Sequence, residues 1–328
     1  MSICYELQSL DTLFFGGNIP MEAGLPAADT LFPPPVSVLA GAIRTAVLKE
    51  HAVSIADYKN GTAKDVIEKI GAYGKAPAFS ITAFLVKKNN TYYVPAPASW
   101  YVESEKKPHK AEDFTGKRLL IAEPKESTFS KLHIKSSEGS VPYTTAEKGN
   151  DAFPLSNVWL SYDFVFKSNS AKFTDKDVLL QNDIYSLENR TGNALDENKR
   201  VKEGMLYSAV HLRLREDVTL CICLDTDVGL GEKGIMQLGG ECRICRYKKI
   251  GDAPLQSGKQ DGTLFVSLMP VAEKPEVLGQ LVSSQKPIVT AGWDLAKGFH
   301  KPTENWLPAG AVFTKKVTNS CVATAHKN

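Results

Sequence analysis

The chain has 328 residues, 43% hydrophobic and 23% charged, with 39 basic side chains against 37 acidic ones. A net charge of +2 excludes a protein that holds nucleic acid by bulk charge, so any such contact must come from local basic patches. No run of about 18 apolar residues and no basic segment leading into an apolar core is present. The expectation is therefore a cytoplasmic chain without a membrane span, built as one large domain or two of about 150 residues.

In chain order, Ile3 to Phe15 reads as a strand closed by the turn residues Gly16-Gly17-Asn18. After a loop, Phe32-Pro-Pro-Pro35 fixes a helix start, because proline can open a helix but not continue one. Val36, Leu39, Ile43, Ala46 and Val47 then recur at helical spacing to about Glu50, while Ser37, Gly41 and Arg44 share another stripe. Small residues beside a guanidinium suit close approach of a neighbouring strand or of an RNA phosphate.

A short helix is predicted over Lys64–Ile70, and a hairpin over Phe79–Val86 and Tyr92–Val94. Strand, helix and hairpin open a split βαβ, ferredoxin-like motif. Residues 101–153 lose periodicity and read as an irregular insertion. Regularity returns after Trp159. Met205–Leu214 alternates, with Leu206, Val210, Leu212 and Leu214 predicted inward and Tyr207, His211 and Arg213 outward. Thr219–Leu224 completes a second hairpin, and Cys242–Ile250, Leu264–Met269, Pro287–Thr290 and Ala311–Val317 follow as strands. The predicted fold is α+β, with two tandem ferredoxin-like (RRM-like) domains of antiparallel sheet over residues 1–155 and 156–328.

Three constellations suit RNA chemistry. Gly239-Gly240 precedes Glu241, and Arg243, Arg246, Lys248 and Lys249 surround Tyr247. Glycines let backbone N–H groups cradle an anion, and basic residues around an aromatic suit phosphate contact and base stacking. A tight bend before a solvated strand is the plain alternative. Arg190, Gly192, Asn193, Lys199, Arg200 and Lys202 crowd one segment between strands; an exposed mixed-charge hairpin is the alternative there. Gly292-Trp293 offers an aromatic after a glycine, for stacking or for a core.

Hydrolytic chemistry has little support. No Gly-Lys-Ser/Thr follows a glycine loop, no G-x-S-x-G elbow occurs, and the six histidines show no metal-ligand spacing. His211 is the one candidate base for metal-independent RNA cleavage. Among six cysteines, Cys221-x-Cys223 and Cys242-x-x-Cys245 together match a zinc set by number. Buried small apolar groups on strands are the alternative reading, and no metal or cofactor is expected.

Taken together, Leu10-Asp-Thr-Leu-Phe-Phe15, Phe32-Pro-Pro-Pro35, Leu39-Ala-Gly-Ala-Ile-Arg44, Glu188-Asn-Arg-Thr-Gly192, Glu203-Gly-Met-Leu-Tyr207, Leu238-Gly-Gly-Glu241 with Arg243, Gly292-Trp-Asp294 and Pro308-Ala-Gly310 resemble, in order, a family of the RAMP superfamily. That family supplies the third subunit of Cmr, the type III-B CRISPR effector. The resemblance implies a non-catalytic RNA-binding subunit that caps the 5′ tag of the CRISPR RNA and docks the large polymerase/cyclase-like subunit against a backbone subunit. It places RNA contacts at Ser37, Gly41, Arg44, Arg190, Gly192, Gly239, Gly240, Glu241, Arg243, Gly292 and Trp293, beside the Asn193, Lys199, Arg200 and Arg246 drawn from composition. An endoribonuclease maturing CRISPR transcripts is the rival, and a purely architectural subunit is a third reading.

Overall fold

The computed structural model describes residues 3–17, 27–126, 140–168, 170–198, 200–251, 264–290, 293–294, 299–300 and 302–324. In chain order its first elements are β1 (Ile3–Ser9), α1 (Val36–Glu50), α2 (Ile55–Asn60), α3 (Lys64–Ile70) and β2 (Ile81–Lys88). Next come β3 (Thr91–Pro95), β4 (Trp100–Ser104), β5 (Arg118–Ile121), β6 (Glu123–Glu126), β7 (Ser140–Tyr143), β8 (Asp151–Pro154) and β9 (Trp159–Ser161). Then follow α4 (Tyr162–Phe166), β10 (Val178–Leu179), α5 (Gln181–Ile184), β11 (Tyr185–Leu195), β12 (Val201–Leu214), β13 (Val218–Leu224), β14 (Lys233–Gln237) and β15 (Ile244–Ile250). Short strands and one helical turn complete the chain, a strand-rich α+β fold of several antiparallel sheets.

The chain forms two compact units, but not by a cut near residue 155. One unit combines Met1–Asn89, Ile184–Ala253 and Val289–Asn305; the other combines Asn90–Asp183, Pro254–Ile288 and Trp306–Asn328. Strand pairing explains the interleaving. In the first unit the strand order is β2-β13-β1-β15-β14, with every neighbouring pair antiparallel. β1 and β2 therefore run the same way, joined through α1, with β13 inserted between them. This is the predicted split βαβ, but its inserted strand arrives from Val218. β13 can fill that place because Leu220 to Leu224 are buried on both faces, as a central strand requires.

α1 starts directly after Pro35 and buries Leu39, Ala40, Ala42, Ile43, Ala46, Val47 and Leu48. Beneath the sheet, Tyr5 and Tyr247 meet edge to face with ring centroids 5.9 Å apart. β11 and β12 form a separate two-stranded ribbon. Two passing segments pair with its second strand: Leu13 with Leu212, and Ala28 with Ala209. Through Phe14 and Ala28 they cover part of the face assigned above to solvent, leaving Arg213 half exposed. Ala209 and His211 are consequently buried, while Leu206 is 58% exposed. The strand opening the chain ends at Ser9, and Leu13 and Gly16 make isolated bridges instead of continuing it.

In the second unit the described residues of the 101–153 segment, which exclude 127–139, include short paired strands. Residues 101–153 contribute to the sheet β5-β4-β8 and supply the hairpin β6-β7. Trp100, Phe114, Phe164 and Phe173 make its aromatic core. Glu103 is buried there, with Arg118 Nη1 3.5 Å away and the Glu147 backbone N–H donating to it. β3-β9-β10 forms a further antiparallel run in this unit. Among the described residues, no helix is long and apolar enough to cross a membrane.

Candidate nucleic-acid interface

The outward face of β1, β15 and β14 carries an open groove of about 520 Å³. Its register fixes who stands beside whom. Gln8 lies opposite Arg246, which faces Ile235 on its other side; Glu6 lies opposite Lys248, which faces Lys233. Side chains alternate along a strand, so Tyr5, Leu7, Met236, Cys245 and Tyr247 point into the core and these residues point out. Ile235 is 52% and Ile244 is 43% exposed, giving the face an apolar strip beside its charges.

Charge pairing decides what this face can hold. Glu6 is committed to Lys87. Lys233, Arg246 and Lys248 are exposed and form no ion pair among the described residues. Lys233 and Lys248 stand directly opposite each other, and like charges in that position repel. A polyanion laid along β14 and β15 would relieve that repulsion.

Arg190 and Arg243, drawn from two separate constellations of the sequence, come together in the structure. With Arg213 they converge on Asp11: Arg243 Nη1 lies 2.7 Å from Oδ2, and the Nη2 atoms of Arg190 and Arg213 each lie 3.5 Å from Oδ1. Glu188 takes Arg190 Nε at 2.9 Å and Arg213 Nε at 2.8 Å. Glu241 takes Arg243 Nη2 at 3.0 Å. Three guanidiniums thus face three carboxylates. The Thr12 backbone N–H, aided by the arginines, holds the Asp11 carboxyl below its usual range. Hydrogen bonds from Arg213 and Arg190 do the same for Glu188.

His211 lies under this cluster and is 0% exposed. Its Nδ1 is 3.1 Å from Thr12 Oγ1, and its ring stacks on Phe14 at 5.2 Å between centroids. Nε2 lies 3.1 Å from Glu241 Oε2 but is not aligned for a hydrogen bond. Burial holds the imidazole below its ordinary pKa, against an opposing pull from Glu241. The unfolded chain takes up a proton near pH 6.5 while the folded one resists it, so stability is complete above that pH and falls as the pH drops toward the folded value. Chemical denaturation from pH 7 to pH 5 should show this slope, and His211→Asn should flatten it.

Gly239 and Gly240 serve packing. A Cβ on Gly239, whose φ is +87°, would stand 2.3 Å from the Phe14 carbonyl oxygen. The Gly240 N–H donates to that same oxygen at 2.8 Å. Glu241 and Cys242 follow with φ of 52° and 53°, and the Arg243 N–H donates to the Gly240 carbonyl at 3.3 Å. This is the I′-type turn that joins β14 to β15. It brings Glu241 beside His211 and Arg243 onto Asp11.

The remaining candidates scatter. Ser37 and Gly41 are exposed on α1, with open space over Gly41. Arg44 is spent on structure: its Nε donates to the Ile70 carbonyl at 2.8 Å and its Nη2 to that of Lys75 at 3.0 Å. Arg44→Ala should therefore cost about 2 kcal/mol of stability in urea unfolding. RNA affinity of the folded variant should match that of the parent. The Tyr207 ring covers Gly192, leaving 2.3 Å from Cζ to a Cβ built there. Asn193 and Arg200 are exposed near the turn that joins the ribbon's two strands. Trp293 pairs with His300 in a two-residue ladder, and Lys199 and Gly292 lie outside the described residues.

The zinc set by number does not assemble. Cys4 joins Cys221 and Cys223, with the three sulfurs within 4.8 Å, and a Cys4–Cys223 disulfide links β1 to β13. Cys242 is exposed and Cys245 buried, both as free thiols. Burial pushes the Cys221 and Cys245 thiols up to about 12, so neither is a nucleophile at neutral pH.

Comparison with solved structures gives the fold context. One chain of a cryo-EM structure of the type III-B Cmr-beta bound to cognate target RNA aligns over 95% of this chain and 86% of its own, with 19% identity and a TM-score of 0.53. Its counterpart in a structure that also holds AMPPnP aligns over 94% and 85%, with 18% identity and a TM-score of 0.52. At such identities the shared property is the fold. No curated protein matches the chain. The family model for the CRISPR-associated protein Cas_Cmr3 matches residues 5–263, well over half of the sequence, and the chain therefore belongs to the Cmr3 family.

Proposed function

We propose that this chain is a non-catalytic RNA-binding subunit of a type III-B effector, acting in the cytoplasm. It caps and positions the 5′ tag of the CRISPR RNA, and docks the large subunit against a backbone subunit. Two ferredoxin-like units, interleaved in sequence, carry these roles. The observation that carries the reading is the unpaired basic row Lys233, Arg246 and Lys248 on an open sheet face. Single-stranded RNA is held by phosphate contacts and read through splayed bases. The row supplies the first, and Gln8 with the Ile235 and Ile244 strip offers hydrogen bonds and an apolar floor for the second. The solved relatives in type III-B Cmr-beta bound to target RNA fit this reading.

The endoribonuclease reading loses its motivating residue. A base that deprotonates a 2′-hydroxyl must reach it. His211 is sealed beneath Phe14 and Thr12 and points its free nitrogen at Glu241. Incubating the purified chain with repeat-containing RNA in EDTA tests both readings. Binding with the RNA left intact is expected. Site-specific cleavage that His211→Ala abolishes would overturn the proposal.

A further inference from the structure

Resting on the RNA-binding reading, we propose that Asp11 is a built-in stand-in for a phosphate. It occupies a three-arginine socket in the free chain and leaves it when an RNA phosphodiester enters. Arg190, Arg213 and Arg243 aim at one carboxylate from three directions, at 3.5, 3.5 and 2.7 Å. Two of the three contacts sit at the limit of hydrogen-bond reach. The socket is wider than a carboxylate fills, and a tetrahedral phosphoryl group presents more oxygens across the same span.

Each guanidinium keeps a carboxylate behind it when Asp11 leaves: Glu188 serves Arg190 and Arg213, and Glu241 serves Arg243. The donors thus stay oriented, and the socket goes from neutral to one net positive charge. Buried polar atoms also stand beside it without hydrogen-bond partners, Arg243 Nε and the fully buried His211 Nε2. Asp11 itself follows the end of β1, with its side chain 45% exposed, so release needs no opening of the core. In the free chain the device blocks stray anions, because an entering group must compete with a tethered one.

The test uses the full chain and a single-stranded RNA carrying the repeat-derived 5′ tag. Asp11→Asn keeps the shape and removes the charge. It should tighten RNA binding about tenfold and steepen the dependence of log K on log salt by about 0.7, the increment for one more phosphate contact. Arg213→Ala in the Asp11→Asn background should cancel both gains. Pyrophosphate should compete for the gained part only if the socket takes any phosphoryl group; failure to compete assigns it to the RNA backbone. Carbodiimide labelling of Asp11 in the unaltered chain, read by mass spectrometry, gives a check that needs no variant to fold. Labelling should rise on adding RNA as the carboxylate turns to solvent. Unchanged or reduced labelling, or a folded Asp11→Asn chain that binds no more tightly than the parent, overturns the inference while leaving RNA binding standing. A parent and an Asp11→Asn chain that both ignore RNA overturn it together with the function.

Discussion

Reversing two charges on the outward face of β15, by Arg246→Glu with Lys248→Glu, is expected to weaken binding of the 5′-tag RNA on the order of 100-fold near physiological salt. Two phosphate contacts are lost, so the salt slope should fall by about 1.4. New carboxylates at these positions also repel the backbone. The loss should not come from unfolding. Both side chains are exposed and make no ion pair among the described residues, and a carboxylate at position 248 would stand opposite Lys233 on one side and Glu6 on the other, so the electrostatic gain and loss there offset. Substitutions of this kind usually move stability by about 0.5 kcal/mol or less. Fluorescence polarisation across a salt series reads affinity and slope together. Unchanged affinity would remove the sheet face from the RNA path.

Gly239→Ala is expected to have the largest effect on stability of any single methyl addition in this region, about 3 kcal/mol in denaturant unfolding. Two costs add. An L-residue at φ +87° is strained by about 1–2 kcal/mol. The new methyl also meets the Phe14 carbonyl oxygen at 2.3 Å, and that oxygen belongs to backbone already hydrogen-bonded to Gly240. It cannot swing aside as a side-chain tip can. A glycine kept for RNA approach would give the opposite signature: a stable variant with lost affinity. The comparison thus separates packing from recognition at a position where both readings began equal.

How much of this was legible in the sequence depended on how local the determinant was. α1 was readable, with its start at the proline run and its end near Glu50, because the prolines and a 3.6-residue period are both local signals. α2 was missed although its signals were present: Ser54 accepts from the Asp57 N–H at 3.0 Å and Gly61 closes the helix at φ +74°. β13 was recognisable as a strand, but its place between β1 and β2 depends on pairings more than 100 residues apart that no local pattern encodes. The same distance hid Cys4 as the partner of Cys223. In residues 101–153, strands of four or five residues are too short to show a period, and they were read as irregular.

The interface was legible in part, for a related reason. Arg246 stands on the open face as its position on a basic strand implied. Arg190 and Arg243 do meet, but composition counted only the cations. Their carboxylate partners Asp11, Glu188 and Glu241 come from three places in the chain, and the ribbon register and the passing Leu13 segment help bring them to one point. His211 was placed on the wet face because alternation assigns faces from one strand alone. The coverage by Phe14 and Ala28 reversed it. Arg44 looked available because a helix stripe cannot show that the Ile70 and Lys75 carbonyls lie beneath it.

The most direct measurement is photo-crosslinking in the assembled effector, with a photoreactive base in the 5′ tag of the CRISPR RNA and peptide mapping of the adducts. Adducts within Lys233–Gln237 and Ile244–Ile250, on an RNA still intact, are what the account predicts. A tag that links wholly to other subunits, or that this chain cuts, contradicts it.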